Sequence, residues 1–190
     1  MSRKHLVLSS CAALALVLGS NALAEKIANP EYQQWSHFKV GAMSKLEGAN
    51  EMAGQSSKQT QTMKLVELTP EKAVVEMSMT MEAGGNTMDM PAQKRDVPAQ
   101  IDAPVTTPVA PDAAASAAAP KITEETVKAA GKDIKCRVAE STATQNGMTV
   151  TSKLWTSDEV PGQTVKLETT TTGPMTGKTT MNLVEFKTGG

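Results

Sequence analysis

The dipeptide Asn146-Gly147 constrains this chain more than any other pair of residues in it. Both residue types accept the positive φ angles of a two-residue type I′ turn, and alternating segments flank them. With these two as the loop, Gln145 faces Met148, Glu140 faces Lys153 and Val138 faces Trp155. One face then carries Ile134, Cys136, Val138 and Trp155, and the other carries Ala143, Val150 and Leu154. Apolar groups beside apolar groups, with opposite charges across the ladder, are what antiparallel pairing favours. The chain next bends at Asp158-Glu-Val-Pro-Gly162. Val165 and Leu167 then alternate with Lys166 and Glu168 in a strand that runs into the threonines 169–172.

The same logic predicts the other elements. Asn29 can cap a short helix, Pro30 suits its first position and Glu31 complements its dipole. Tyr32, Trp35 and Phe38 recur every third residue and can anchor that helix to a sheet. A strand is expected from about Phe38 to Glu47, with Gly48 to Gly54 as a turn. Gln59 to Leu68 and Ala73 to Glu82 read as a hairpin joined by Thr69-Pro-Glu-Lys72, and Gly84-Gly85-Asn86 ends it. Strands resume at Ile122 to Val127, and Ala130-Gly-Lys-Asp133 turns into the hairpin described first. Between them, residues 98–120 hold nine alanines and five prolines without periodicity, which reads as a flexible, disordered insertion. Thr62-Met-Lys-Leu-Val-Glu-Leu68 is echoed by Thr180-Met-Asn-Leu-Val-Glu-Phe186, either as a duplicated β unit or as reuse of one strand pattern.

The first 24 residues read as a secretory signal peptide: Arg3, Lys4 and His5, an apolar run from Cys11 to Gly19, and a small-residue cleavage site at Ala22-Leu-Ala24. The apolar run is too short for a good membrane span, so no transmembrane segment is expected after cleavage. Leu8-Ser-Ser-Cys11 superficially resembles a lipoprotein processing site, but the apolar region lies mostly after the cysteine. Removing Arg3 and Lys4 from 19 basic and 20 acidic residues leaves a net charge of −3, which argues against nucleic acid as a partner. Only Cys136 remains of the two cysteines, so no intramolecular disulfide is possible, and its strand position points to burial.

Trp35 with Phe38-Lys-Val-Gly41, Leu65-Val-Glu67, Gly131-Lys-Asp-Ile-Lys-Cys136 and Trp155-Thr-Ser-Asp-Glu-Val-Pro-Gly162 together resemble a group of uncharacterised secreted bacterial β proteins. That resemblance implies a fold and export but no activity. More coarsely, a short N-terminal helix followed by antiparallel strands is similar to the curved half-barrel of lipoprotein carriers, a likeness of fold alone.

Catalytic chemistry finds little footing. His37 is the single histidine left after signal removal, which excludes a multi-histidine metal site within one chain. The usual nucleophile, zinc and redox motifs are missing. Gly173-Pro-Met-Thr-Gly-Lys-Thr179 is one residue short of a phosphate-binding loop and sits between strands. Glu67, Glu76, Glu82, Asp89, Asp158 and Glu159 form no evident acid/base pair. The sharpest feature is Met77, Met79 and Met81 at strand spacing, followed by Met88-Asp-Met90. Thioethers are soft ligands that select Cu(I). The simpler expectation, and the preferred one, is that methionine fills the core of a sheet with five aromatics in all.

The expected protein is therefore a mainly β, antiparallel curved sheet or partly closed barrel of about seven or eight strands with a short N-terminal helix. It forms one domain over 25–190, is exported to the periplasm or beyond, is not an enzyme and needs no cofactor. It binds a lipid, another apolar ligand or a protein partner on its sheet. The alternative is a periplasmic Cu(I) protein using Met77, Met79, Met81, Met88 and Met90.

Overall fold

The hairpin register expected around residue 147 is the one observed. In the computed structural model, which describes residues 26–103, 116–117, 119–145 and 147–190, Gln145 pairs with Met148, Glu140 with Lys153 and Val138 with Trp155. Asn146 itself lies outside the described residues, as do the expected signal peptide and residues 104–115 of the expected insertion.

In chain order the elements are β1 (Lys26–Ala28), α1 (Pro30–Ser36), β2 (Met43–Met52), β3 (Gln55–Leu68), β4 (Lys72–Ala83), β5 (Asn86–Pro98), β6 (Gln100–Asp102), β7 (Ser116–Ala117), β8 (Lys121–Ala129), β9 (Lys132–Gln145), β10 (Met148–Thr156), β11 (Thr164–Thr172) and β12 (Gly177–Lys187). Ten strands form one antiparallel sheet in the order β5-β4-β3-β2-β12-β11-β10-β9, with β8 and the two-residue β7 both pairing with β9. The sheet has free edges, so it is not a closed barrel. It does curl: Lys132 on β9 holds its Nζ 4.8 Å from the ring centre of Phe186 on β12, although β10 and β11 separate those strands in the sheet.

Three expectations are corrected. Gly48 to Met52 is not a turn but the second half of β2, paired residue by residue with Gln59 to Gln55. The turn comes at Ala53-Gly54, where both residues adopt positive φ. The segment after Gly84-Gly85 is a full strand, β5, despite Pro91; a bulge between Met90 and Gln93 on this edge strand accommodates it. The expected insertion also begins late, because Gln100 to Asp102 pair with Ala28 to Lys26 in a separate two-stranded sheet.

The helix forms for the reasons its sequence gives. Asn29 accepts a hydrogen bond from the Glu31 backbone N–H at 3.0 Å, and its own side-chain amide donates to the Pro98 carbonyl at 2.8 Å. One residue thus caps α1 and fixes it beside β5. Trp35 and Phe38 are buried with Ala42, Leu65, Ala73, Val75 and Val97, while the Tyr32 hydroxyl donates to the Thr69 carbonyl at 2.7 Å. A second buried cluster gathers Leu46, Ile134, Cys136, Val138, Trp155, Val160, Val165, Met181 and Leu183. Its lower edge is closed by the loop after β10, in which Ser157 and Val160 are buried and Gln163 adopts φ 61°. No helix among the described residues is long and apolar enough to cross a membrane.

Candidate functional site

Register decides which side chains share a face, because directly opposed residues in a sheet project to the same side. Following the pairs from β5 gives one row: Met88, Met81, Gln59, Gly48, Met181, Leu167, Leu154. The adjacent row on that face reads Met90, Met79, Gln61, Leu46, Leu183. The next holds Gln93, Met77, Met63 and Ser44. All five methionines singled out in the sequence therefore stand on one face of the β4–β5 hairpin. Met63 joins them from β3.

These methionines do not fill the core, which corrects the simpler expectation. Met88 is 66 % exposed, Met90 41 % and Met77 39 %, while Met79 and Met81 are half-buried. The core methionine is instead Met181, at 5 % exposure. The reason is where the cover lies. α1 packs over the end of the face marked by Leu65, Val75 and Val97, and the strands run well beyond it.

The side chains paired with the thioethers from β3 and β5 are amides or further methionines, and the nearest charge on this face, Arg95 opposite Val75, is paired with Glu31 of α1. Gln59 donates its side-chain amide to Met79 Sδ at 3.4 Å, and Gln61 donates to Met77 Sδ at 3.3 Å. Gln93 opposes Met77 from β5. The reverse face of the same strands carries the charges: Lys64, Glu76 and Lys94 oppose one another, as do Lys58 and Glu82, and the Thr80 hydroxyl donates to Asp89 at 2.8 Å. This part of the sheet thus has a thioether-and-amide side and a charged side.

The remaining chemistry-bearing residues are accounted for structurally. Trp155 donates Nε1–H to Glu125 at 2.8 Å, and Lys153 donates to the other carboxylate oxygen at 3.1 Å. The ammonium groups of Lys153 and Lys166 lie 4.6 and 4.7 Å from the indole centre, within cation–π range. The Trp155 hydrogen bond, then that from Lys153, hold the Glu125 carboxyl below its usual range. Cys136 is buried with its Sγ 3.5 Å from the Ile134 carbonyl, and burial pushes its thiol pKa up, then the nearby Glu125 and Glu159 charges. That is the signature of an unreactive thiol. His37 terminates α1 and is exposed, outside the methionine rows. Among the described residues no three His, Cys, Asp or Glu side chains cluster as a metal site. Five hollows along the surface, with volumes of about 350–530 Å³, are lined largely by polar and charged residues and by none of these methionines.

Sequence reasoning missed Met63. Counting back from the Thr69–Lys72 turn without interruption sets Lys64 opposite Met77. A bulge between Leu65 and Glu67 shifts the pairing by one, and Met63 takes that place.

No family model matches the chain, and no curated protein matches it. A solved structure from Parabacteroides distasonis, named as a candidate lipoprotein, is similar at 13 % identity and a TM-score of 0.40, covering 78 % of this chain and 96 % of that one.

Proposed function

We propose that this is an exported, non-enzymatic binding protein whose binding surface is the uncovered methionine face of β3, β4 and β5. The expected signal peptide over 1–24 supports export. One observation carries the binding reading: five methionines share one sheet face beside the amides of Gln59, Gln61 and Gln93, three of them between 39 and 66 % exposed. Flexible, polarisable thioethers adapt to apolar surfaces of varied shape, which is why methionine is overused at such contacts. The face is open rather than enclosed, so it suits an apolar segment of a protein partner, or an apolar molecule laid across the sheet.

Native mass spectrometry of protein gently purified from its exported compartment tests this. The expected result is an adduct, of lipid-range or protein mass, that is absent when Met77, Met79, Met81, Met88 and Met90 are all replaced by glutamine. A bare monomer from both proteins, or an adduct retained by the glutamine variant, contradicts it.

A further inference from the structure

The feature that distinguishes this face from an ordinary apolar patch is sulfur at fixed spacing. Met79 opposes Met90, and Met81 opposes Met88. Met79 and Met81 are two apart on one strand, as are Met88 and Met90 on the other, so the four form the corners of a rectangle. Opposed Cβ atoms in an antiparallel pair lie about 5 Å apart, and alternate residues along a strand lie about 7 Å apart. Methionine has three rotatable side-chain bonds. From these corners all four sulfur atoms can reach a common point above the sheet centre.

We infer that this rectangle is a thioether site for Cu(I), with Met77 as a further donor beside it. The inference rests on the reading of this face as the binding surface, and names a ligand that uses its sulfur rather than its apolarity. Five points support it. Neutral thioethers match a soft monovalent ion, whereas Zn(II), Ca(II) and Mg(II) call for thiolate, imidazole or carboxylate. The residues sharing the face at this level are Gln59, Gln61 and Gln93, none of them charged. Asp89, the carboxylate nearest in sequence, is turned to the reverse face and occupied by Thr80. Gln59 and Gln61 also donate to Met79 and Met77, so one lone pair of each sulfur is already oriented by the protein. The second lone pair of each is free for a metal. The exposure of Met88 and Met90 keeps the point of convergence open to a delivering or receiving chelator.

The test is an anaerobic titration of the purified protein with Cu(I) against bicinchoninate, read alongside native mass spectrometry and copper-edge X-ray absorption. The expected result is one tightly held ion with a sulfur-only first shell. Replacing Met79, Met81, Met88 and Met90 with leucine keeps volume and apolarity but removes every donor, and should abolish that complex. Replacing Met43, Met148 and Met175 with leucine should leave it intact. Circular dichroism and the melting temperature establish that each variant folds. A wild-type protein that fails to compete with bicinchoninate, a leucine variant that binds equally well, or nitrogen and oxygen in the first shell would overturn the inference. The same leucine variant separates it from the broader reading. An apolar partner should still bind the leucine variant and be lost only with glutamine. If copper fails while that pattern holds, the copper inference alone falls.

Discussion

Gly48 offers the sharpest test of the register that carries the first of the methionine rows from β2 to β12. It lies in mid-strand, opposite Met181 on one side and Gln59 on the other. A Cβ added there would fall 2.7 Å from Met181 Sδ and closer still to the Thr180 carbonyl oxygen. The sulfur belongs to a flexible side chain, but it is 5 % exposed and held in the core; the carbonyl is backbone of the neighbouring strand. In an unobstructed strand Gly→Ala would stabilise by about 0.4–1 kcal/mol, through the unfolded chain's lost freedom. Here overpacking opposes it, at about 1–3 kcal/mol. The backbone carbonyl cannot yield as a side chain can, so the clash wins and Gly48→Ala should lower stability, by a net of up to about 2.6 kcal/mol and a fall in melting temperature of up to roughly 10 °C for a domain of this size. Combining it with Met181→Ala should recover the part due to sulfur and leave the part due to Thr180, a coupling of about 0.5–3 kcal/mol in a double-mutant cycle. Thermal unfolding by circular dichroism with the four proteins decides the matter. A melting temperature that rises in Gly48→Ala would refute the pairing of β2 with β12, and with it the continuation of the rows beyond β2.

Other outcomes follow from the same packing. Leu65→Ala empties a fully buried site among Trp35 and Val75, and urea titration should show a loss of about 2–5 kcal/mol; a loss below 1 kcal/mol would mean α1 collapses into the space or does not cover it. Ser44 is 1 % exposed and its hydroxyl lacks a partner, so Ser44→Ala should be neutral or stabilising by about 1 kcal/mol in the same titration. Destabilisation there would reveal a hydrogen bond to that hydroxyl. Glu125 has a lowered carboxyl pKa, so the stability it contributes is present above its unfolded value, about 4.3, and is lost as pH falls below that toward the folded value. Denaturant midpoints measured downward from pH 5 should therefore fall less steeply in Glu125→Gln than in the wild type, and identical slopes would contradict the pairing with Trp155 and Lys153.

Much of this architecture could be read from local chemistry. The turn residues before Met148 set the β9–β10 register, and Asn29, Pro30 and the spaced aromatics set α1. What failed to show was geometry that depends on neighbours. Gly48 and Pro91 both signal a break in a sequence, yet one sits where a crossing methionine leaves no room for a Cβ and the other at a bulge on an edge strand. The echoed heptapeptides show the same limit from the other side. The strands that bear them, β3 and β12, flank β2, and each has its register shift across the valine of Leu-Val-Glu, at Leu65/Glu67 and at Leu183/Glu185. In each copy the leucine before the bulge is buried. The repeated sequence therefore corresponds to a repeated bend in the strand, a device visible only once the partners are known.

Whether methionines at alternate positions become core or surface is likewise decided by reach. Alternation tells which residues share a face, but not how far a cover extends along it. α1 has seven residues and is about 10 Å long at 1.5 Å per residue. β4 has twelve and β3 fourteen, about 40 and 48 Å at 3.3–3.4 Å per residue. A helix of that length can shield roughly a quarter of such strands. It is centred on Leu65, Val75 and Val97, so the face beyond Met77 extends past it. The aromatic residues that could have covered the rest are few, and three of the five, Tyr32, Trp35 and Phe38, are committed to the covered end. A strand that leaves its cover ordinarily changes to polar residues on both faces, as β11 does from Glu168 through the threonines 169–172. β4 and β5 instead keep methionine on one face for the uncovered length. Nothing in the packing of the core requires that choice, so the side chains there are free to meet the needs of a ligand.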